Sequence, residues 1–211
     1  MRGLLITLEG PDGSGKTTQA EALVAYLRQK GLQVVMTREP GGTAISEQIR
    51  NILLDKRNQM MDNMTEALLY AASRAQHVAE VIQPALEEGK IVVCDRFLDS
   101  SIVYQGIARG LGLEAVQKIN EFAVRGCMPD ITFLLKIPPR AGLERKYNQG
   151  NRDRLESESI DFHEQVYQGY QILEAKEPER IKGIDAGKAP EEVHLEIIRW
   201  VEKKLKERGK S

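Results

Sequence analysis

A chain of 211 residues can bury one sizeable core, and no Pro/Gly/Ser-rich linker divides it, so a single domain is expected. Its 30 basic and 31 acidic residues nearly cancel, which excludes the basic excess of a non-specific nucleic-acid binder. No apolar run approaches the roughly 20 residues of a membrane span, and a chain of this size with only Cys94 and Cys127 needs no disulfide, which points to a reducing cytoplasm.

Residues 4–8, Leu-Leu-Ile-Thr-Leu, read as a buried strand that begins too early to leave room for a signal peptide. Gly10-Pro11-Asp12-Gly13-Ser14-Gly15-Lys16-Thr17 follows and matches G-x-x-x-x-G-K-[ST]. A helix over 18–30, starting at Thr18, comes next, with Ala22, Leu23, Ala25, Tyr26 and Leu27 available for packing. Strand, glycine turn and helix start together make a cradle in which backbone N–H groups and the helix dipole face an anion. Lys16 would reach the β- and γ-phosphates of a nucleotide, and the Thr17 hydroxyl would hold magnesium.

Further strands are expected at 33–37, 91–94, 130–135 and 180–184. Helices are expected at 43–54, from 65 onward with Pro84 kinking or restarting the run, and at 100–105 and 113–124. Three more start at Pro138-Pro139 and cover 158–175 and 190–207. Gly89 reads as a C-cap and the polar stretch 148–154 as a loop. Strands alternating with helices imply an α/β fold of three layers, a five-stranded parallel sheet flanked by helices on both faces. The three histidines, His77, His163 and His194, lack metal-ligand spacing and read as structural or surface residues.

The chemistry-bearing residues gather at expected strand ends. Asp95 closes a core strand beside the phosphate loop, where a carboxylate suits magnesium; a turn-initiating Asp fits the same pattern. Arg96 can pair bidentately with a phosphate, and Arg38, in Arg-Glu-Pro-Gly-Gly-Thr, reaches the same sheet edge. Tyr70 and Arg74 lie one helical turn apart and could stack and hydrogen-bond a flat base, although an Arg lying over a core Tyr has the same spacing. Ser100, Ser101, Tyr104 and Gln105 also lie about a turn apart; Gln105 could read a base edge or simply face solvent. Arg145, Lys146, Arg152 and Arg154 surround the polar loop and fit a lid at about 145–157 that neutralises transferring phosphate; pairing with Asp153 and Glu156 on an exposed loop is the plainer alternative.

In this order, LEGPDGSGKTTQ, TREPGGT, LLYAASRAQHV, DRFLDSSIVYQG, TFLLKIPP, DRLE, FHEQVYQGY and IDAGKAPEEV resemble the thymidylate kinases, the dTMP kinase branch of the P-loop nucleoside monophosphate kinases. The resemblance covers nearly the whole chain and implies one P-loop kinase domain, transfer from ATP to dTMP, magnesium and a homodimer. It further implies that Gly10 to Thr18 with Asp185 and Gly187 hold ATP. Asp12 lies near the acceptor sugar, and Arg38 and Arg96 clamp the acceptor phosphate. Asp95 organises magnesium, Tyr70 stacks on thymine where the family usually has Phe, and Arg74, Gln105 and a serine of the Ser100-Ser101 pair bond the base. Tyr104 packs under the deoxyribose, and Arg152 and Arg154 act as lid cations. Gly13 stands where one subgroup carries an arginine, which resembles the subgroup with its cation on the lid. Ala44 and Lys136 also depart from the common pattern, and the resemblance assigns Glu9 no clear role.

Two other activities would use parts of this set. A deoxynucleoside kinase needs a carboxylate base for a neutral hydroxyl, with Glu9 or Asp95 in that role, and would leave the Arg38 and Arg96 pair idle. A nucleotide switch would carry a guanine-reading N-K-x-D, which is absent, and Asp95-Arg96-Phe97 at the end of the core strand is not D-x-x-G.

Overall fold

The computed structural model describes residues 2–147 and 153–209. Five parallel strands lie in the order β2-β3-β1-β4-β5: β1 Leu4–Glu9, β2 Val34–Arg38, β3 Ile91–Asp95, β4 Ile131–Lys136 and β5 Ile181–Asp185. From β1 the chain passes to the edge strand β2, returns to β3 between the two, and then crosses to β4 and β5 on the other side, so the loops leaving β1 and β3 open side by side at the C-terminal edge. Register sets the site from below. Arg38 pairs with Asp95, and Asp95 pairs with Leu8, in one row across three strands.

Strand alternation divides the core into two layers. Leu4, Ile6 and Leu8 with Ile91, Val93, Ile131, Phe133 and Leu135 pack on α1 (Lys16–Gln29) and α9 (Pro190–Arg208). Leu5, Val92, Cys94 and Leu134 face the other way, onto α4 (Gln83–Glu87), the 98–108 segment and α8 (Ile160–Lys176). On that second face Thr7 and Thr132 satisfy each other, their hydroxyls 2.7 Å apart. The two cysteines are free and buried. Among the described residues no helix is long and apolar enough to cross a membrane.

The remaining helices are α2 (Ala44–Leu54), α3 (Asn63–His77), α5 (Leu98–Ser101), α6 (Leu113–Val124) and α7 (Pro139–Tyr147). Two helices depart from the α period assumed from sequence. The long helix ends at His77 and widens into a π turn, Val78–Ile82, before α4 restarts with Pro84 in its first turn. A proline ring collides with the carbonyl four residues earlier, and a wider turn relieves that clash. The expected helix at 100–105 begins earlier as α5 and continues as a second π turn, Ile102–Ala108. The Lys136 departure is accommodated by an ion pair with Glu174, 3.2 Å away across β4 and α8.

Candidate active site

The loop after β1 builds one wall. Gly15 stands in the left-handed region (φ 86°) and turns the chain into α1, aiming the first N–H groups of that helix outward. Lys16 Nζ donates to the carbonyls of Gly10 (3.0 Å) and Pro11 (2.9 Å) and lies 3.4 Å from Ser14 Oγ, so the ammonium is held inside the curl of its own loop. Thr17 Oγ1 donates to Asp95 Oδ2 at 2.6 Å, which joins the start of α1 to the end of β3.

Arg96 occupies the junction of the two loops. Its backbone is left-handed (φ 68°), unusual for a side-chain-bearing residue, and its N–H is held by Leu8 O at 2.9 Å. That turn sends the guanidinium across to Asp12 Oδ1 (2.5 Å) and the Gly10 carbonyl (3.1 Å), with the Tyr104 ring beneath it. Burial opposes ionisation of Asp12, but the charges of Arg96 and Lys16 overcome it and hold the carboxyl below its usual range.

Glu9 supports this arrangement. It is fully buried and accepts from Phe97 N–H (2.7 Å), Ser100 N–H (3.2 Å), Ser100 Oγ (2.6 Å) and Tyr170 Oη (2.9 Å). The turn that presents Arg96 is thereby fixed to β1. Burial pushes the Glu9 pKa up to about 7, with the charge of Asp99 adding to the rise.

These walls enclose a cavity of about 620 Å³. Asp12, Gly13, Gly15, Lys16, Thr17, Thr18, Asp95 and Arg96 line one end. Arg38, Tyr70, Arg74, Ser100, Ser101, Tyr104 and Gln105 line it as well. Arg38 donates to the Pro40 carbonyl at 3.0 Å and to Glu47 at 3.1 Å, and about half of its side chain stays exposed. Arg74 is almost fully buried: Nε meets Glu39 (2.8 Å), Nη1 meets Ser101 Oγ (3.0 Å) and Asn120, and Nη2 meets Phe97 O (3.0 Å). Those contacts use four of the five guanidinium N–H groups and leave one on Nη2.

The family model for thymidylate kinase matches residues 8–197. The chain belongs to the thymidylate kinase family. Curated thymidylate kinases include that of Clostridium novyi, 52% identical over 198 residues (93% of this chain and 97% of that one). That of Latilactobacillus sakei is 54% identical over 204 residues, covering 95% of each chain. The crystal structure of thymidylate kinase from Ehrlichia chaffeensis aligns with a TM-score of 0.78 at 34% identity, over 95% of this chain and 99% of that one.

In this thymidylate kinase fold one of the two expected lid cations is placed differently from the sequence reading. Arg154 turns away from the cavity: its buried guanidinium meets Leu53 O (2.8 Å) and Glu66 Oε2 (2.5 Å). A buried cation requires a carboxylate partner, and Glu66 supplies one. Arg152 lies outside the described residues. Arg145 and Lys146, from the last turn of α7, line the cavity instead, beside Asp153 and Glu156. Lys146 pairs with Glu156 at 3.1 Å.

Gly10, Pro11 and Ser14 form the frame of the phosphate loop rather than its lining. Asp185 ends β5, and its carboxylate accepts the Gly187 N–H at 2.8 Å. That loop stands at the same sheet edge but outside the cavity, linked to α7 through Arg145 and the Ala186 carbonyl (3.0 Å). His77 is structural, buried between Glu39 (2.9 Å) and Thr37 (2.6 Å).

Sequence reasoning passed over Glu39, Arg50 and Glu66. Arg50 lines the cavity from α2 and donates to the Pro40 carbonyl at 2.9 Å. A lone arginine inside a helix carries no signal of its own. Glu66 did carry one, because Glu66, Tyr70 and Arg74 recur every four residues along one face of α3.

Proposed function

We propose that this cavity passes the γ-phosphate of ATP to the phosphate of dTMP, giving ADP and dTDP. One observation carries the reading: Tyr70, suited to a base, and Arg96, suited to a phosphate, face the same cavity as the phosphate loop. Lys16 and the N–H groups of its loop hold the β- and γ-phosphates, with the Asp185 to Gly187 loop bordering adenine. Arg38, Arg50 and Arg96 hold the acceptor phosphate, Tyr70 stacks on thymine, and Tyr104 lies under the deoxyribose beside Asp12. The spare Arg74 N–H meets a base carbonyl.

The acceptor is an anion at neutral pH, since the second pKa of a phosphate monoester is about 6, so no side-chain base has to activate it. Repulsion between the two nucleotides is the obstacle, about 4 kcal/mol per unit charge pair at 4 Å and an effective dielectric of 20. The cations of the cavity offset it and hold both phosphates in line. A magnesium ion suits Thr17 and Asp95, an oxygen-only pair that leaves most positions to phosphate and water. When bound it would neutralise negative charge on the nucleotide phosphates. Arg145 and Lys146, which line the cavity from α7, meet the γ-phosphate.

A coupled assay offering dTMP, dUMP, dGMP, dCMP and thymidine tests this reading. Diphosphate is expected from dTMP foremost and none from thymidine; a preparation that phosphorylates thymidine but not dTMP overturns it. The same cytoplasmic protein is expected to elute as a homodimer. Support comes from α2 and α3, which leave Ile45, Ile52, Met64 and Leu68 exposed.

Lys16 gives this site a pH dependence. Burial, with the charge of Arg96 adding, lowers its pKa to about 8 in the free protein. A phosphate on Nζ favours the charged form and raises the pKa again, so protonated Lys16 binds ATP more tightly. Affinity is expected to be level below pH 8 and to fall about tenfold per unit above it, until the bound-state pKa is reached. Calorimetric titration of ATP between about pH 7 and about pH 9.5 measures the slope and the proton uptake. A Lys16→Met variant should lose both, and a level profile for the unmodified chain contradicts the role.

A further inference from the structure

Gln105 is a side chain with two faces. Its amide offers a carbonyl acceptor at one end and two N–H donors at the other, and a base-reading site needs one end fixed. In this fold the fixing group is Glu66, one turn before Tyr70 on α3. Gln105 Nε2 donates to Glu66 Oε1 at 2.9 Å, with both side chains about 1% exposed. A carboxylate only accepts, so the donor end of the amide must face Glu66. The carbonyl end is left for the cavity that Gln105 lines.

Glu66 is also held ionised by its surroundings. Arg109 donates to both of its oxygens at 3.3 Å, and Arg154 to Oε2 at 2.5 Å. Burial disfavours the charge, but the bonds from Gln105, Arg109 and Arg154 outweigh it and keep the carboxyl below its usual range. Arg154 belongs to the 153–157 turn that lines the cavity through Asp153, Leu155 and Glu156. Arg109 reaches on to Glu158 at 2.6 Å.

We propose that Glu66 is a positioning residue for acceptor specificity: it fixes the Gln105 amide with its carbonyl toward the base. The proposal rests on the dTMP reading above. A pyrimidine whose N3 carries hydrogen satisfies the carbonyl. A cytosine, whose N3 is an acceptor, sets two lone pairs against each other and leaves a buried polar group unpaired. Sites that hydrogen-bond the right group reject its counterpart by large factors for this reason.

The test is the ratio of kcat/KM for dTMP to that for dCMP. A ratio is insensitive to the folded fraction, so partial unfolding of a variant does not disguise the result. Glu66→Gln frees the amide to turn and is expected to lower the ratio about tenfold, roughly what one displaced hydrogen bond supplies. Gln105→Ala is expected to lower it similarly, and Glu66→Gln in the Gln105→Ala background to change it no further. Arg154→Met loosens the lid turn while leaving the amide fixed, so it should slow both acceptors alike and keep the ratio. If Glu66→Gln keeps the ratio within about twofold, or lowers it equally without Gln105, the inference fails. An unmodified chain that ignores dTMP would instead remove the reading beneath it.

Discussion

Arg96→Ala is expected to lower turnover at saturating ATP and dTMP by a factor on the order of 10² to 10³, the range seen when one preorganised charge-stabilising donor is removed. Arg96 is the cation that touches both halves of the site, with Asp12 Oδ1 at 2.5 Å, Gly10 O at 3.1 Å and Ser100 Oγ at 3.3 Å. ATP affinity should change little, because Lys16 keeps its own bonds to the Gly10 and Pro11 carbonyls. The left-handed backbone is no confounder, since alanine and arginine share the same Cβ and the same strain at φ 68°. Asp12 is the confounder: its side chain is only 13% exposed, and removing the guanidinium leaves a buried carboxylate unpaired. Pairing the change with Asp12→Asn should recover thermal stability but not turnover. Arg96→Lys retains charge without the planar fork and should fall between the two. A single variant that turns over within tenfold of the unmodified chain, or loses ATP affinity in step with rate, would contradict the assignment.

What the sequence could and could not disclose follows from the range of each interaction. The β1 strand, glycine loop and α1 are contiguous, and their period and composition place them without help from the rest of the chain. Arg38 and Asp95 reach one row of the sheet because both end apolar strands, and parallel pairing aligned those ends. The π turns were invisible, since Val78–Ile82 and Ile102–Ala108 have the composition of ordinary α-helix and differ only in one extra residue per turn. The place of Arg154 was missed for a different reason. Arg145, Lys146 and Arg154 look alike in sequence, and only the buried carboxylate of Glu66, far along the chain, decides that Arg154 is drawn inward. Glu9 is the same case: a strand-end acid with no local purpose, which becomes the acceptor for the turn carrying Arg96 once β1 and β3 are adjacent.

Gly142→Ala is expected to reduce kcat about a hundredfold and to lower the melting temperature, and the reason lies in backbone contact. The first turn of α7 rests on the phosphate loop with no side chain between. A Cβ on Gly142 would stand 2.3 Å from the Asp12 carbonyl oxygen, and a Cβ on Gly13 would stand 2.0 Å from the Gly142 carbonyl oxygen. Neither neighbour is a flexible side chain that could swing aside, so α7 must retreat by about 1 Å, enough to cost such a factor when reacting groups lose alignment. Arg145 and Lys146 retreat with it. Alanine itself suits the helix better than glycine, by about 1 kcal/mol, which offsets part of the cost of that displacement. Gly13→Ala is the less clean experiment, because that residue is left-handed (φ 74°) and any Cβ there adds strain of about 1–2 kcal/mol. The same contact leaves no room for a side chain at position 13, while the last turn of α7 carries Arg145 and Lys146 to the cavity. Steady-state kinetics beside a thermal melt decide the matter. A Gly142→Ala variant with normal kcat and a normal melting temperature would mean that α7 does not set the position of the phosphate loop.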